Sequence, residues 1–326
     1  MATAARELGS PCAAAVFAGA APLFALADGS VHSWATGQSA RVHPALLAAV
    51  PTVDRALLTA GEDGRVCRTT GKGESTEIAS VPRKWIVSVA ADRAGTTAFA
   101  VGRSVWLHDV AGRRREFEFA RGVTAVRLAP DGTQLAVSRY GGMTVHTLVG
   151  DSPPLDLEWK GICAAIDFSP DARFLLAFMQ DGLLHGWRLP VGRELARHFR
   201  MTGYTSKVKD WSWTDDGRWL ATSGAASVVL WPFAGVEGPI GATALEVGDP
   251  RGDALVTAVA CRPGGEAVAI GYDDGAVLVA SIRAEAERLV RNPGGAPVLA
   301  LAWHGSGSSL AFGTASGACG VLDVPN

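Results

Sequence analysis

The sequence predicts an all-β protein: a single closed propeller of four-stranded antiparallel blades. Three observations predict it, namely a short unit that recurs eight times, a regular spacing between its copies, and an almost complete lack of helical signals. The unit is plainest in "APDGTQLAVSRYGGMTVHTL", Ala129 to Leu148. It reads as a tight turn at Asp131-Gly132, a strand from Gln134 to Ser138, a Gly turn at Gly141-Gly142 and a strand from Thr144 to Leu148. "SPDARFLLAFMQDGLLHGWRL", Ser169 to Leu189, repeats that order, and six more copies begin at Gly19, Thr52, Arg93, Thr214, Arg262 and Gly305. Anchored on the first inward position of the last strand, the copies align at Val31, Val66, Val105, Val145, Leu184, Val228, Val277 and Cys319. The steps are 35, 39, 40, 39, 44, 49 and 42 residues, scattered about the roughly 40–45 expected for four-stranded propeller blades.

The remaining strands of each unit follow in order. An apolar strand precedes each copy, as in "VTAVRLAP" (Val123 to Pro130), "CAAIDFSP" (Cys163 to Pro170) and "VTAVACRP" (Val256 to Pro263). A more polar segment such as "REFEF" (Arg115 to Phe119) separates copies and alternates as an exposed outer strand should. The one helix-like segment, "AEAERL" (Ala284 to Leu289), is too short to stand alone and is expected to join an outer strand. Eight blades are favoured over seven, the alternative having the first copy detached. The eighth copy ends at Val324-Pro325-Asn326 with no room for an outer strand, and an open edge is an aggregation liability. "AARELG" (Ala4 to Gly9) is therefore expected to supply that strand, within one propeller domain spanning residues 1–326.

At this point the chain resembles the WD40 family. The "SPD"-like turns at Pro130-Asp131 and Pro170-Asp171 carry the resemblance. So do the "DG" turns at Asp28-Gly29, Asp63-Gly64, Asp181-Gly182 and Asp274-Gly275, and the strand-ending Trp34, Trp187 and Trp231. The match is degenerate: no copy has a Trp-Asp pair, replaced by His108-Asp109 and Leu322-Asp323, and the Gly-His pair is missing throughout. The family's Asp-His-Ser/Thr-Trp hydrogen-bond network is thus not carried over. The resemblance implies a fold more than a function, because propellers host many functions.

Composition fits this architecture and excludes several function classes. With 326 residues, 48% hydrophobic, 39 Gly and 19% charged, the chain has ample material for a packed interior and for frequent turns. A formal net charge of −2 argues against a dedicated nucleic-acid binder. No run of 18 apolar residues suggests a membrane span. "CAAAVFAGAAPLFALA" (Cys12 to Ala27) has the apolarity of a signal peptide, yet Glu7 offsets Arg6 and cleavage would destroy the first copy, so a cytoplasmic location is expected. Cys12, Cys67, Cys163, Cys261 and Cys319 fall in apolar strands of different blades and are odd in number, which reads as reduced, packed cysteine.

Candidate chemistry is sparse. His32, His146 and His185, with Cys67, occupy one equivalent position on four blades. Neighbouring sheets pack about 10 Å apart, while zinc holds nitrogen at about 2.0–2.1 Å, so no metal site and no cofactor is expected. Innermost-strand positions that would line the axis read Leu47, Ser88, Ala125, Ala165, Asp210, Ala258 and Ala300, a single carboxylate and no catalytic constellation. The position entering the innermost strand differs. It carries His43, Lys84, Arg121 and Lys160 on blades two to five, and Lys207 and Lys209 on blade six, with Trp85 and Trp211 beside them. In the family this narrower face is the usual binding surface. The expectation is a non-catalytic scaffold that docks a protein partner, with an acidic surface suited to these cations. The alternative is a propeller enzyme of the hydrolase or lactonase kind using Asp210.

Overall fold

The computed structural model describes residues 3–190 and 195–325. Eight four-stranded antiparallel sheets are arranged as a β-propeller, with no helix among the described residues. Seven blades are consecutive in sequence, covering residues 12–41, 46–80, 86–118, 123–158, 163–201, 211–247 and 256–291. The eighth takes Val298–Trp303, Ser309–Thr314 and Ala318–Asp323, and its fourth strand is Thr3–Glu7. That strand runs antiparallel to the third, with Ala4 opposite Val321 and Glu7 opposite Ala318. The helix-like segment of blade seven ends in its outer strand, Glu287–Arg291.

Blade three shows why these sequences form these sheets. Its second strand, Thr97–Val101, is almost wholly buried, because both faces meet neighbouring blades. Its third, Ser104–His108, alternates between buried and half-buried positions. Its fourth, Arg114–Glu118, is the outer edge and is nearly all exposed, the charged side chains guarding an unpaired ladder.

Blades two to five, within residues 28–30 and 40–202, form one compact group; blades six to eight, with most of blade one, form another. Inside each group the blades are joined by apolar clusters that span successive sheets. The inward residue of one third strand meets the opening residue of the next first strand: Val66 with Ile86, Val105 with Val123, Val145 with Cys163, Val228 with Val256, and Val277 with Val298.

A second feature recurs that alternation does not reveal. Seven of the eight first strands carry a register shift after their opening residue, so one residue bulges out of the ladder. This overturns part of the expected axial lining. Ala125, Ala258 and Ala300 lie just past the bulge and are buried in the inter-blade clusters, while Leu47 is itself the bulged residue.

Thr3–Glu7 also brings the Arg6 guanidinium over the Trp34 ring, 4.2 Å from its centroid. Deleting residues 2–9 would therefore remove one whole ladder and uncover an indole. A fall in melting temperature of more than about 5 °C is expected in a thermal scan; an unchanged transition would show that the strand adds no stability.

Candidate interaction face

At several junctions the segment that leads into a first strand lies closely over the turn between the second and third strands of the preceding blade. Gly64 sits in such a turn with φ 75°, and a Cβ there would fall 2.1 Å from the Val81 carbonyl oxygen and 2.7 Å from that of Lys84. Only glycine tolerates both the conformation and the close approach. Gly29 holds the His43 segment in the same way, with a Cβ position 2.1 Å from the His43 carbonyl oxygen.

On blades two to five this geometry sorts the expected residues. Lys84, Arg121 and Lys160 are exposed, and Trp85 is 60% exposed. Arg121 lies over the Tyr140 ring at 5.1 Å and donates to the Tyr140 carbonyl oxygen at 3.3 Å. Sequence reasoning missed Arg83, exposed beside Lys84, and Arg103 in the turn of blade three. It also missed the exposed apolar side chains of Tyr140, Ile162 and Leu183. Turns between apolar strands give no periodic signal that would have marked them. Exposed carboxylates at the same strand ends are Glu62, Glu118, Glu158 and Asp181, so the cations dominate only locally, where Arg83, Lys84, Arg103 and Arg121 enter blades three and four.

His43 is a correction. It is 1% exposed and offers no surface cation. One ring nitrogen meets Asp63 at 3.0 Å and the other meets the Thr59 hydroxyl at 2.9 Å. Burial opposes ionisation of Asp63, yet hydrogen bonds from Arg65 and His43 outweigh it and hold the carboxyl below its usual range. Blade two therefore contains an Asp-His-Thr network that the missing Gly-His pair had concealed. Blade six has a counterpart in which a phenol takes the imidazole's place. The Trp231 indole donates to the Tyr204 oxygen at 2.7 Å, and that oxygen is 2.8 Å from the Thr222 hydroxyl. Burial pushes the Tyr204 hydroxyl up to about 12.

Elsewhere on blade six, Lys209 is exposed, while Lys207 and Trp211 are half-buried, so the indole is not a free anchor. Asp210 is tied on both oxygens, accepting from Val259 N of blade seven at 2.8 Å and from Trp211 N at 3.0 Å. It thus bridges two first strands that share no ladder. Burial pushes its carboxyl up to about 7. The histidines equivalent in register are each engaged locally: His32 with Ser39 at 3.3 Å, His146 against Phe117, and His185 with His198 at 3.0 Å. No group of three or more metal-ligating side chains occurs among the described residues.

Two substitutions test these assignments. An unfolded aspartate titrates near 3.9, so the raised carboxyl of Asp210 stabilises the fold fully below about pH 4, progressively less up to about 7, and not above. The melting temperature of Asp210→Asn relative to wild type should accordingly improve from pH 5 to pH 8; a constant difference would mean that Asp210 does not titrate in this range. Tyr204→Phe, which strands the Trp231 N–H and removes the hydroxyl that bonds the Thr222 oxygen, should cost about 1–3 kcal/mol in denaturant unfolding.

Comparison with known proteins agrees with this geometry. The model of the WD domain, G-beta repeat matches residues 195–232, which span the outer strand of blade five and the first three strands of blade six. No curated relative matches the chain by sequence. Among solved structures it is similar to the computationally designed Ika8 protein, at 19% identity and a TM-score of 0.72, covering 98% of each chain. It is also similar to the β-propeller domain of Cps50 (Swd1) from Myceliophteria thermophila, at 17% identity and a TM-score of 0.64, covering 86% of this chain and 97% of that one. A chain of the Mitotic Checkpoint Complex matches at 17% identity and a TM-score of 0.66, covering 86% of this chain and 91% of that one. With eight four-stranded blades and a match to the WD repeat confined to residues 195–232, the chain is an eight-bladed β-propeller that resembles the WD40 kind, with Asp-His-Thr and Trp-Tyr-Thr hydrogen-bond networks in blades two and six.

Proposed function

We propose that the protein is a non-catalytic scaffold that docks a protein partner through the strand-entry ends of its blades, chiefly blades three and four. WD40 propellers commonly serve as protein-interaction scaffolds and are generally non-catalytic, which supports the class. The observation that carries the choice of face is Trp85, an indole 60% exposed on a backbone held by Gly64, flanked by exposed Arg83 and Lys84. A large aromatic left in water on a fixed loop matches the residue type enriched in interface hot spots. The nearby Arg121–Tyr140 pair offers a second amphipathic patch. The local cations suit a partner with an acidic surface, speeding encounter while the indole supplies affinity. Lys160 on blade five extends the same strand-end register; on blade six the corresponding positions hold exposed Lys209 and half-buried Lys207 and Trp211.

The enzymatic alternative centres on Asp210. Its two oxygens are already occupied by backbone N–H donors, and a general acid or base needs reach to a substrate proton. That geometry favours the scaffold reading.

The test begins with a partner captured from native cells. The triple variant Lys84→Glu, Arg121→Glu and Lys160→Glu should keep the wild-type melting temperature, slow association by about tenfold or more at low salt, and flatten its salt dependence. Trp85→Ala should speed dissociation, costing about 2 kcal/mol. Unaltered rates in both variants would move the docking surface elsewhere.

A further inference from the structure

The inward residue of each third strand and the opening residue of the next first strand form one repeating contact between blades. At five junctions it is filled by aliphatic side chains, or by Val145 against a single cysteine, Cys163. Between blades eight and one the same contact is made by two cysteines, Cys319 and Cys12, both 0% exposed and packed in one cluster with Phe24 and Leu26. The Cys12 thiol donates to the Ala14 carbonyl oxygen at 3.5 Å, and the neighbouring Cys319 thiol acts on it strongly enough to raise its pKa. They converge over Gly313, which lies opposite Cys319 in the ladder. A Cβ on that glycine would stand 2.2 Å from the Cys12 sulfur and 3.5 Å from the Cys319 sulfur, so any other residue would fill the space in which the two sulfurs meet.

We propose that Cys12 and Cys319 form a reversible disulfide that covalently fastens blade one to blade eight. Both sulfurs border the space above Gly313, where a bond of about 2.05 Å would form. The oxidant is a low-molecular-weight disulfide such as glutathione disulfide. One protein thiolate attacks it, forming a mixed disulfide and releasing one glutathione thiolate. The second protein thiolate then attacks the protein-side sulfur and displaces the other glutathione. The two cysteines lose two electrons together, the glutathione disulfide gains them, and the two thiol protons finish on the two glutathiones. In the folded protein the reaction is slow, because contact with Cys319 and burial push the Cys12 thiol well above its usual range and little thiolate is present. Bond formation therefore accompanies folding or opening at the Thr3–Glu7 edge, where Arg6 pairs with Cys319.

The experiment refolds the full chain from denaturant in buffers spanning reduced to oxidised glutathione, quenches with N-ethylmaleimide and measures intact mass and peptide linkage. The expected result is a fall from five alkylated cysteines to three in oxidising buffer, with Cys12 and Cys319 in one linked pair of peptides and an upward shift in melting temperature that dithiothreitol reverses. Cys12→Val and Cys319→Val, which install the residue used at equivalent junctions, should each abolish the link and the shift. Five alkylated cysteines in wild type under oxidising refolding, or a link between any other pair, would overturn the proposal, whether or not the variants fold.

Discussion

Each blade is a small sheet whose central strands must be buried on both faces, and no blade can accomplish that alone. Everything else in the structure depends on how one sheet covers the next. The cover is apolar first: third-strand residues such as Val66, Val105 and Val277 press on the opening residues Ile86, Val123 and Val298 of the following blades. It is also polar, because first strands of neighbouring blades share no ladder and their inward edges would otherwise hold unpaired backbone groups. Side chains meet that need. The Ser88 hydroxyl accepts from Val126 N at 3.1 Å, the Ser212 hydroxyl from Cys261 N at 2.9 Å, and the Thr257 hydroxyl donates to the Val298 carbonyl oxygen at 2.6 Å. Asp210 belongs to this series, which accounts for a carboxylate in a place where the other first strands carry Ser or Ala.

The repeat and the strand count were legible in the sequence because turns and apolar runs are local signals. Asp131-Gly132 and Asp181-Gly182 announce their turns whatever packs against them, and strands such as "FLLAF" within Phe174–Met179 are apolar on both faces, as central strands must be. The bulges were not legible. A bulge shifts the inside-outside alternation by one, and the bulged residues include Val87 and Leu299, each 38% exposed, where an apolar residue reads as core. For that reason Ala125 and Ala258 read as axial from the sequence, whereas they belong between blades.

The hydrogen-bond networks were hidden for a different reason. His43 resembles the lysines in position and residue type, but its role is set by Asp63 and Thr59, which lie 20 and 16 residues away in sequence and meet it only once the turn at Gly64 is made. Tyr204 had no family signature to mark it, since a phenol stands where the family places an imidazole. In both blades the buried donor and acceptor are satisfied, and the chemistry of the central group is free to change provided it can bond on two sides.

The closeness of Gly64 to the Val81 and Lys84 carbonyls has a thermodynamic consequence for whatever meets this face. Ordering a loop on binding costs free energy for every residue immobilised, and that cost is subtracted from the attraction the interface provides. Here the segment that carries Lys84 and Trp85 rests on Gly64 and is tied to it by the Val81 N–H at 2.7 Å, so its backbone has less freedom to lose than an unsupported loop. On the proposed docking reading, a small buried area would then yield useful affinity without the propeller being reshaped.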